Sequence, residues 1–182
     1  MKRDDKADWI QSALARYQGT LVRYAAHITG DFEKARDVVQ DTFIRLCKQK
    51  PSQIEGHLAQ WLFTVCRNRA LDVQRKESRM EPLTETQSNS RASSEPGALR
   101  LLEQEEATNW VMQLLEKLPP NQQEVIRLKF QNDMSYREIS QVTELSVSNV
   151  GFLIHTGLKT IRQKLSAQSD LGSKAIAIRR IK

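Results

Sequence analysis

Three groups of side chains have types and spacings that point to recognition chemistry. Near the end of the chain, Ser148, Phe152, His155, Thr156 and Lys159 fall on one side of a helix at about 100° per residue. Small polar groups, an aromatic ring and a cation suit the edges and phosphates of a DNA major groove. The competing reading is an ordinary amphipathic hairpin, which the same spacing would serve. In the first half, Asp37, Gln40, Asp41 and Ile44 share a helix face and make an acidic patch in a basic segment. A solvated face, an intrahelical pair of Asp41 with Arg45, and a docking site for a basic partner helix all fit it. Further on, Gln60, Thr64, Arg67, Asn68 and Arg75, with Lys76 and Arg79 beyond, form the most concentrated basic stripe. Arginines interleaved with an amide and a hydroxyl suit phosphates and an unstacked base of single-stranded DNA, against the alternative of a solvated basic face.

Bond-making chemistry has no comparable support. The chain lacks a Gly-rich phosphate loop, a nucleophile elbow and a paired catalytic motif, so no catalytic residue and no enzyme activity are expected. Cys47 and Cys66 are far apart and without CxxC or His spacing, and His27, His57 and His155 form no ligand pattern. Neither metal nor cofactor is expected, and both cysteines read as small packing residues.

The elements that must position these groups are all helical. Trp9–Tyr17 and Leu21–Ile28 have helical spacing, and Gly30 suits a left-handed helix end before a cap at Asp31. Phe32–Lys48 follows, with Phe32, Ala35, Val39, Phe43 and Leu46 facing inward. Pro51 breaks the pattern and opens a loop. A long helix then begins near Gly56 and ends near Arg79, with Leu58, Trp61, Leu62, Val65 and Cys66 inward. Met80–Ala98 is rich in Ser, Thr, Glu, Pro and Gly and poor in large apolar side chains, as a flexible linker is. Leu99–Leu118 is helical until Pro119-Pro120, and Pro120 or Asn121 opens a helix carrying Val125, Ile126, Leu128 and Phe130. Ser135 and Glu138 make a capping box for a helix from Tyr136 to about Val142. Thr143–Leu145 is a turn, and Ser146 caps a last helix whose buried stripe is Val147, Val150, Ile154, Leu158, Ile161 and Leu165. Two short helices joined this way read as a helix-turn-helix. The basic tail, Ser166–Lys182, reads either as a weak helix or as disordered.

Charge supports a division into two parts. The 182 residues carry a net charge of +6, distributed as +5 over residues 1–80, −4 over 81–106 and +5 over 107–182. Two basic blocks around an acidic connector imply two contacts with a polyanion, although a positive balance also serves solubility. The amino terminus, MKRDDKADW, lacks the apolar core of a signal peptide, and no run reaches the ~20 apolar residues of a membrane span. A cytoplasmic protein without membrane insertion is expected.

The order of motifs resembles the bacterial alternative sigma factors of the extracytoplasmic-function type, within the sigma-70 family. DVVQDTFIRL (Asp37–Leu46) is similar to the family's core-polymerase-binding helix, and WLFTVCRNRALDVQRK (Trp61–Lys76) to its promoter-melting helix. LEKLPPNQQEVIRLKF followed by MSYREIS is similar to its carboxy-terminal domain. The resemblance implies an all-α chain of two helical domains. Residues 1–79 would bind polymerase and the −10 element, 80–98 would link, 99–166 would read the −35 element, and 167–182 would form the tail.

As implied partners it gives core RNA polymerase, through its β′ and β subunits, promoter DNA, and an anti-sigma factor. Asp37, Gln40, Asp41 and Ile44 become the polymerase-docking set. The loop Lys50–His57 and Asn68 become a pocket for a flipped −10 base, with Thr64, Arg67 and Arg75 as backbone contacts and Trp61 as a further candidate that packing also explains. Arg137, Ser148, Asn149, Phe152, His155 and Lys159 become the −35 contacts. The run SNVGFLIHTGLK departs from the family, carrying Gly151, Leu153, Thr156 and Leu158 where charge is common, so bidentate arginine readout is not available there. A helix-turn-helix regulator acting without polymerase is the main rival, and an adaptor that sequesters a basic helix is a third reading.

Overall fold

The computed structural model describes residues 3–80 and 110–179, with side chains over 6–79 and 110–166. Among the described residues every regular element is helical. They form two compact units, the first holding α1 (Arg3–Thr29), α2 (Phe32–Cys47), α3 (Pro51–Ile54), a 3-10 turn (Glu55–His57) and α4 (Leu58–Met80).

Helix α1 is one element of 27 residues, not the expected pair. An interior glycine such as Gly19 weakens a helix by only about 1 kcal/mol relative to alanine. Packing on both sides of it offsets that cost, since Ala13, Leu21, Tyr24 and Ala25 are all buried. The helix ends as its sequence predicts: Gly30 has φ +70° and donates its N–H to the Ala26 carbonyl at 2.9 Å. Asp31 then accepts from the Glu33 and Lys34 amides at 2.8 and 3.2 Å, capping α2.

Helix α2 buries Ala35, Val38, Val39, Thr42, Phe43 and Leu46. Phe32, expected inside, is 53% exposed because the first residue of the helix sits at the rim of the α1/α2 cleft. The buried line of α4 is Leu62, Phe63, Cys66 and Ala70, whereas Leu58, Trp61 and Val65 are only half-buried. The apolar face is thus rotated toward Phe63, whose ring meets Tyr24 edge-on at 5.1 Å. Two ion pairs tie α2 to α4, Lys34–Glu77 at 2.6 Å and Arg69–Asp41 at 2.9 Å.

The second unit holds α5, whose described part is 110–116, together with α6 (Pro120–Gln131) and α8 (Val147–Arg179). Helix α7 (Tyr136–Thr143) meets α8 where Tyr136 lies 3.6 Å from the position a Cβ would take on Gly151. Leu114, Leu118, Val125, Leu128, Met134, Ile139, Val150 and Ile154 are buried. Gln123 closes the end of α5 by donating to the Leu118 and Glu116 carbonyls at 2.8 and 3.0 Å. Helices α6 and α8 approach closely at Gly157, where a Cβ would stand 2.6 Å from Ile126 Cδ1.

The capping box is present in full. The Ser135 N–H and hydroxyl donate to Glu138 Oε2 at 2.8 and 2.7 Å, and the Glu138 N–H donates back to Ser135 Oγ at 3.3 Å. Glu144 makes the turn with φ +62°, and Ser146 Oγ accepts from the Asn149 N–H at 3.2 Å to start α8. Val147, expected in the buried stripe, is 47% exposed at the first position of α8, and Phe130 is 57% exposed in the last turn of α6. The expected linker lies outside the described residues apart from Met80, which closes α4. In the tail, the backbone of α8 continues to Arg179, and the side chains beyond Ser166 lie outside those described.

Candidate nucleic-acid interface

The acidic group on α2 occupies one wall of a cleft of about 910 Å³ between α1 and α2. Asp37, Gln40 and Ile44 all line it and are exposed, with Ile44 at 48%. An exposed isoleucine flanked by a carboxylate and an amide is a mixed surface fit for an amphipathic basic helix. Asp41 is placed differently. It is half-buried, and its Oδ2 accepts from Arg69 Nε of α4 at 2.9 Å, a partner other than the Arg45 suggested by i,i+4 spacing. Arg69 is the residue of this site that sequence reasoning missed, because a contact between residues 28 apart leaves no periodic trace.

On α4, Asn68 and Arg75 are exposed, and Thr64, Arg67 and Trp61 are half-buried. The Thr64 hydroxyl donates to the Gln60 carbonyl at 2.8 Å, which commits its hydrogen to the helix and leaves its lone pairs to accept. Arg75 lies 3.7 Å from Asp72, an exposed pair loose enough to be exchanged for a phosphate. Ahead of this helix the expected loop is ordered as α3 and a 3-10 turn, because proline at the first helical position is preorganised for a helix start. Pro51 and Ile54 anchor it, and Ser52, Gln53, Glu55, Gly56 and His57 are exposed.

On α8, Ser148, Asn149, Phe152, His155 and Lys159 are all exposed, and Phe152 at 65% is the most exposed large apolar side chain described. Thr156, on the same stretch, is half-buried. Arg137 is exposed in the first turn of α7. The back of α8, at Val150, Ile154, Gly157 and Ile161, is buried, so the helix is held from behind and open in front. Among the described residues no cluster of His, Cys, Asp or Glu is placed to hold a metal ion, and no helix is long and apolar enough to cross a membrane.

Comparison with known proteins accounts for both units. Residues 13–80 match Sigma-70 region 2, and residues 108–161 match Sigma-70 region 4. The chain is 30% identical over 149 residues to the ECF RNA polymerase sigma factor EcfG of Rhodopseudomonas palustris, covering 81% of this chain and 78% of that one. It belongs to the ECF sigma factors of the sigma-70 family. A second relative, the ECF RNA polymerase sigma factor RpoE of Cereibacter sphaeroides, is 26% identical over 160 residues, 88% of this chain and 86% of that protein. The fold is shared with the Bartonella quintana sigma factor RpoE, solved in complex with the anti-sigma factor NepR, at a TM-score of 0.67 and 21% identity over 86% of this chain and 96% of that one. This ECF sigma factor is thus an alternative sigma factor that binds core RNA polymerase and directs transcription initiation at promoters. A helix-turn-helix regulator independent of polymerase would leave the region 2 match, and with it the whole first unit, unexplained.

Proposed function

We propose that this sigma factor divides promoter engagement among the three surfaces described. Asp37, Gln40 and Ile44, with Asp41 beside them, dock a basic helical surface of the polymerase β′ subunit. Asn68 and the α3/3-10 segment hold a flipped base of the −10 strand. Thr64, Arg67 and Arg75 steady its backbone, with Trp61 behind them. Arg137 and the front of α8, at Ser148, Asn149, Phe152, His155 and Lys159, read the −35 duplex. Residues 1–79 and 99–166 act as the two functional domains, joined through 80–98, in a cytoplasmic protein that performs no catalysis of its own and is held in check by an anti-sigma factor.

The observation that carries this reading is the joint exposure of Asn68 and Arg75 on α4, ahead of which a turn anchored by Pro51 and Ile54 presents Gln53, Glu55, Gly56 and His57 to solvent. Unstacking a base costs a few kcal/mol, and that cost is offset where several such groups converge on one strand. Phe152 supports the −35 assignment, since an exposed ring on the open side of a recognition helix can meet a thymine methyl.

Reconstituted transcription with core polymerase tests the division of labour. Asp37→Lys is expected to abolish core binding in a pull-down while leaving helical content unchanged. Asn68→Ala should slow open-complex formation while sparing binding to a −35 duplex probe. Equal losses on both DNA probes would refute base capture by Asn68, and an unchanged pull-down would refute docking through α2.

A further inference from the structure

The Asp41–Arg69 ion pair joins two surfaces with different work to do. Its carboxylate belongs to the α2 patch, one residue after Gln40 and three before Ile44, and its guanidinium is carried by α4 from the position following Asn68 in the chain. The pair is neither a buried brace nor a loose surface contact: the Nε–Oδ2 distance is 2.9 Å, with side-chain exposures of 32% for Arg69 and 43% for Asp41. A cation approaching Asp41 from outside therefore meets a charge already neutralised by Arg69. A second pair, Lys34–Glu77 at 2.6 Å, also holds α2 against α4, so the helices stay joined when the first pair opens.

We infer that Arg69 competes with polymerase for Asp41 in the free sigma factor and, once displaced, passes to a phosphate of the −10 strand. The inference rests on the docking and strand-capture reading above and adds to it a link between the two events. Polymerase binding would release a cation beside Asn68, so the strand-binding face gains charge only after the factor has docked. In the free factor the same pair lowers both the negative charge offered to polymerase and the positive charge offered to DNA. That bias acts against unproductive contact with either partner alone.

The direction of the effect of Arg69→Gln on core affinity tests this. Half-exposed pairs contribute a few tenths of a kcal/mol to about 1 kcal/mol, so removing the competitor should tighten core binding about two- to fivefold. Asp41→Asn should weaken core binding, and Asp41→Asn/Arg69→Gln should match Asp41→Asn alone. Arg69→Lys, which keeps the charge, should stay close to wild type. In the assembled holoenzyme, Arg69→Gln should weaken binding of a single-stranded −10 oligonucleotide and reduce its salt slope by about 0.7, the value for one phosphate contact on a single strand. Asn68→Ala should weaken the same probe with its salt slope unchanged.

Unchanged or weaker core binding in Arg69→Gln would show the pair to be a static brace and overturn the competition. An unchanged salt slope would overturn the transfer to DNA. Full core binding by Asp41→Asn would instead remove Asp41 from the docking surface, a separate failure that also ends the proposal.

Discussion

Two glycines in the middle of long helices should respond in opposite ways to the same substitution. Alanine is favoured over glycine in a helix interior by about 0.8–1 kcal/mol. At Gly19 of α1 a new Cβ would meet Arg23 Nη1 at 3.7 Å, an ordinary contact. Gly19→Ala is therefore expected to stabilise the first unit by nearly the full propensity gain. At Gly157 of α8 the same atom would stand 2.6 Å from Ile126 Cδ1, 3.3 Å from Leu118 Cδ1 and 3.4 Å from Gln122 Oε1. Carbon atoms at rest keep about 3.5–4.0 Å apart, so Ile126 must retreat by about 1 Å. Ile126 and Leu118 are each only 5% exposed, so neither methyl can swing into water. Overpacking of this kind costs about 1–3 kcal/mol, which leaves Gly157→Ala destabilising by about 0–2 kcal/mol after the helix gain. The two variants should differ by about 1–3 kcal/mol, and 1 kcal/mol moves Tm by about 4–8 °C in a domain of this size. The tryptophans make the assay specific, because Trp9 and Trp61 belong to the first unit and Trp110 to the second. Thermal melts of the full chain carrying either Trp110 alone or Trp9 and Trp61 alone would follow each unit separately. A Gly157→Ala protein stabilised as much as Gly19→Ala would refute the argument, showing that the α6/α8 contact yields at no cost.

Two further outcomes concern titration. The Ser135 hydroxyl and N–H hold the Glu138 carboxyl below its ordinary value of 4.5. Because the folded pKa is the lower one, the stabilisation is complete above the unfolded value and is lost as pH falls through the folded value. Urea midpoints read at Trp110 between about pH 6 and pH 3 should fall less steeply in Glu138→Gln, where the capping box keeps its shape without titrating; an equal slope in both proteins would contradict this. Burial pushes the Cys66 thiol up to about 12, while Cys47 is exposed. Thiol labelling near pH 8 should therefore modify one cysteine quickly and the second only after unfolding, and two fast equivalents would refute the packing of Cys66 beneath α1.

What the sequence made legible was whatever is decided locally. The Gly30-Asp31 helix break, the Ser135/Glu138 box and the Ser146 cap each join residues two to four apart, so type and spacing were enough to find them. Periodicity overstates burial at helix ends: Phe32 and Val147 satisfy the period of their helices but lie where the packing surface has run out. The separation expected between Tyr17 and Leu21 is absent because the burial of Leu21 and Tyr24 outweighs the propensity cost of the intervening Gly19, which local pattern does not reveal. The candidate surfaces were legible as faces of α2, α4 and α8. The ion pair between α2 and α4 was not, since Asp41 and Arg69 meet only when two helices lie side by side. The tight passage at Gly157 was hidden for the same reason: a glycine inside a helical pattern carries no sign of what lies opposite it.

The asymmetry of α8 bears on how promoter choice changes over evolutionary time. Its back is fixed by Val150, Ile154 and the narrow contact at Gly157, while Ser148, Asn149, Phe152, His155 and Lys159 face solvent. Surface substitutions away from such packing usually shift stability by no more than about 0.5 kcal/mol. The front of the helix can accordingly change with the fold as a nearly silent bystander. On the −35 assignment proposed above, two copies arising by gene duplication could part company in the sequences they prefer through a few front-face changes, each intermediate still folding.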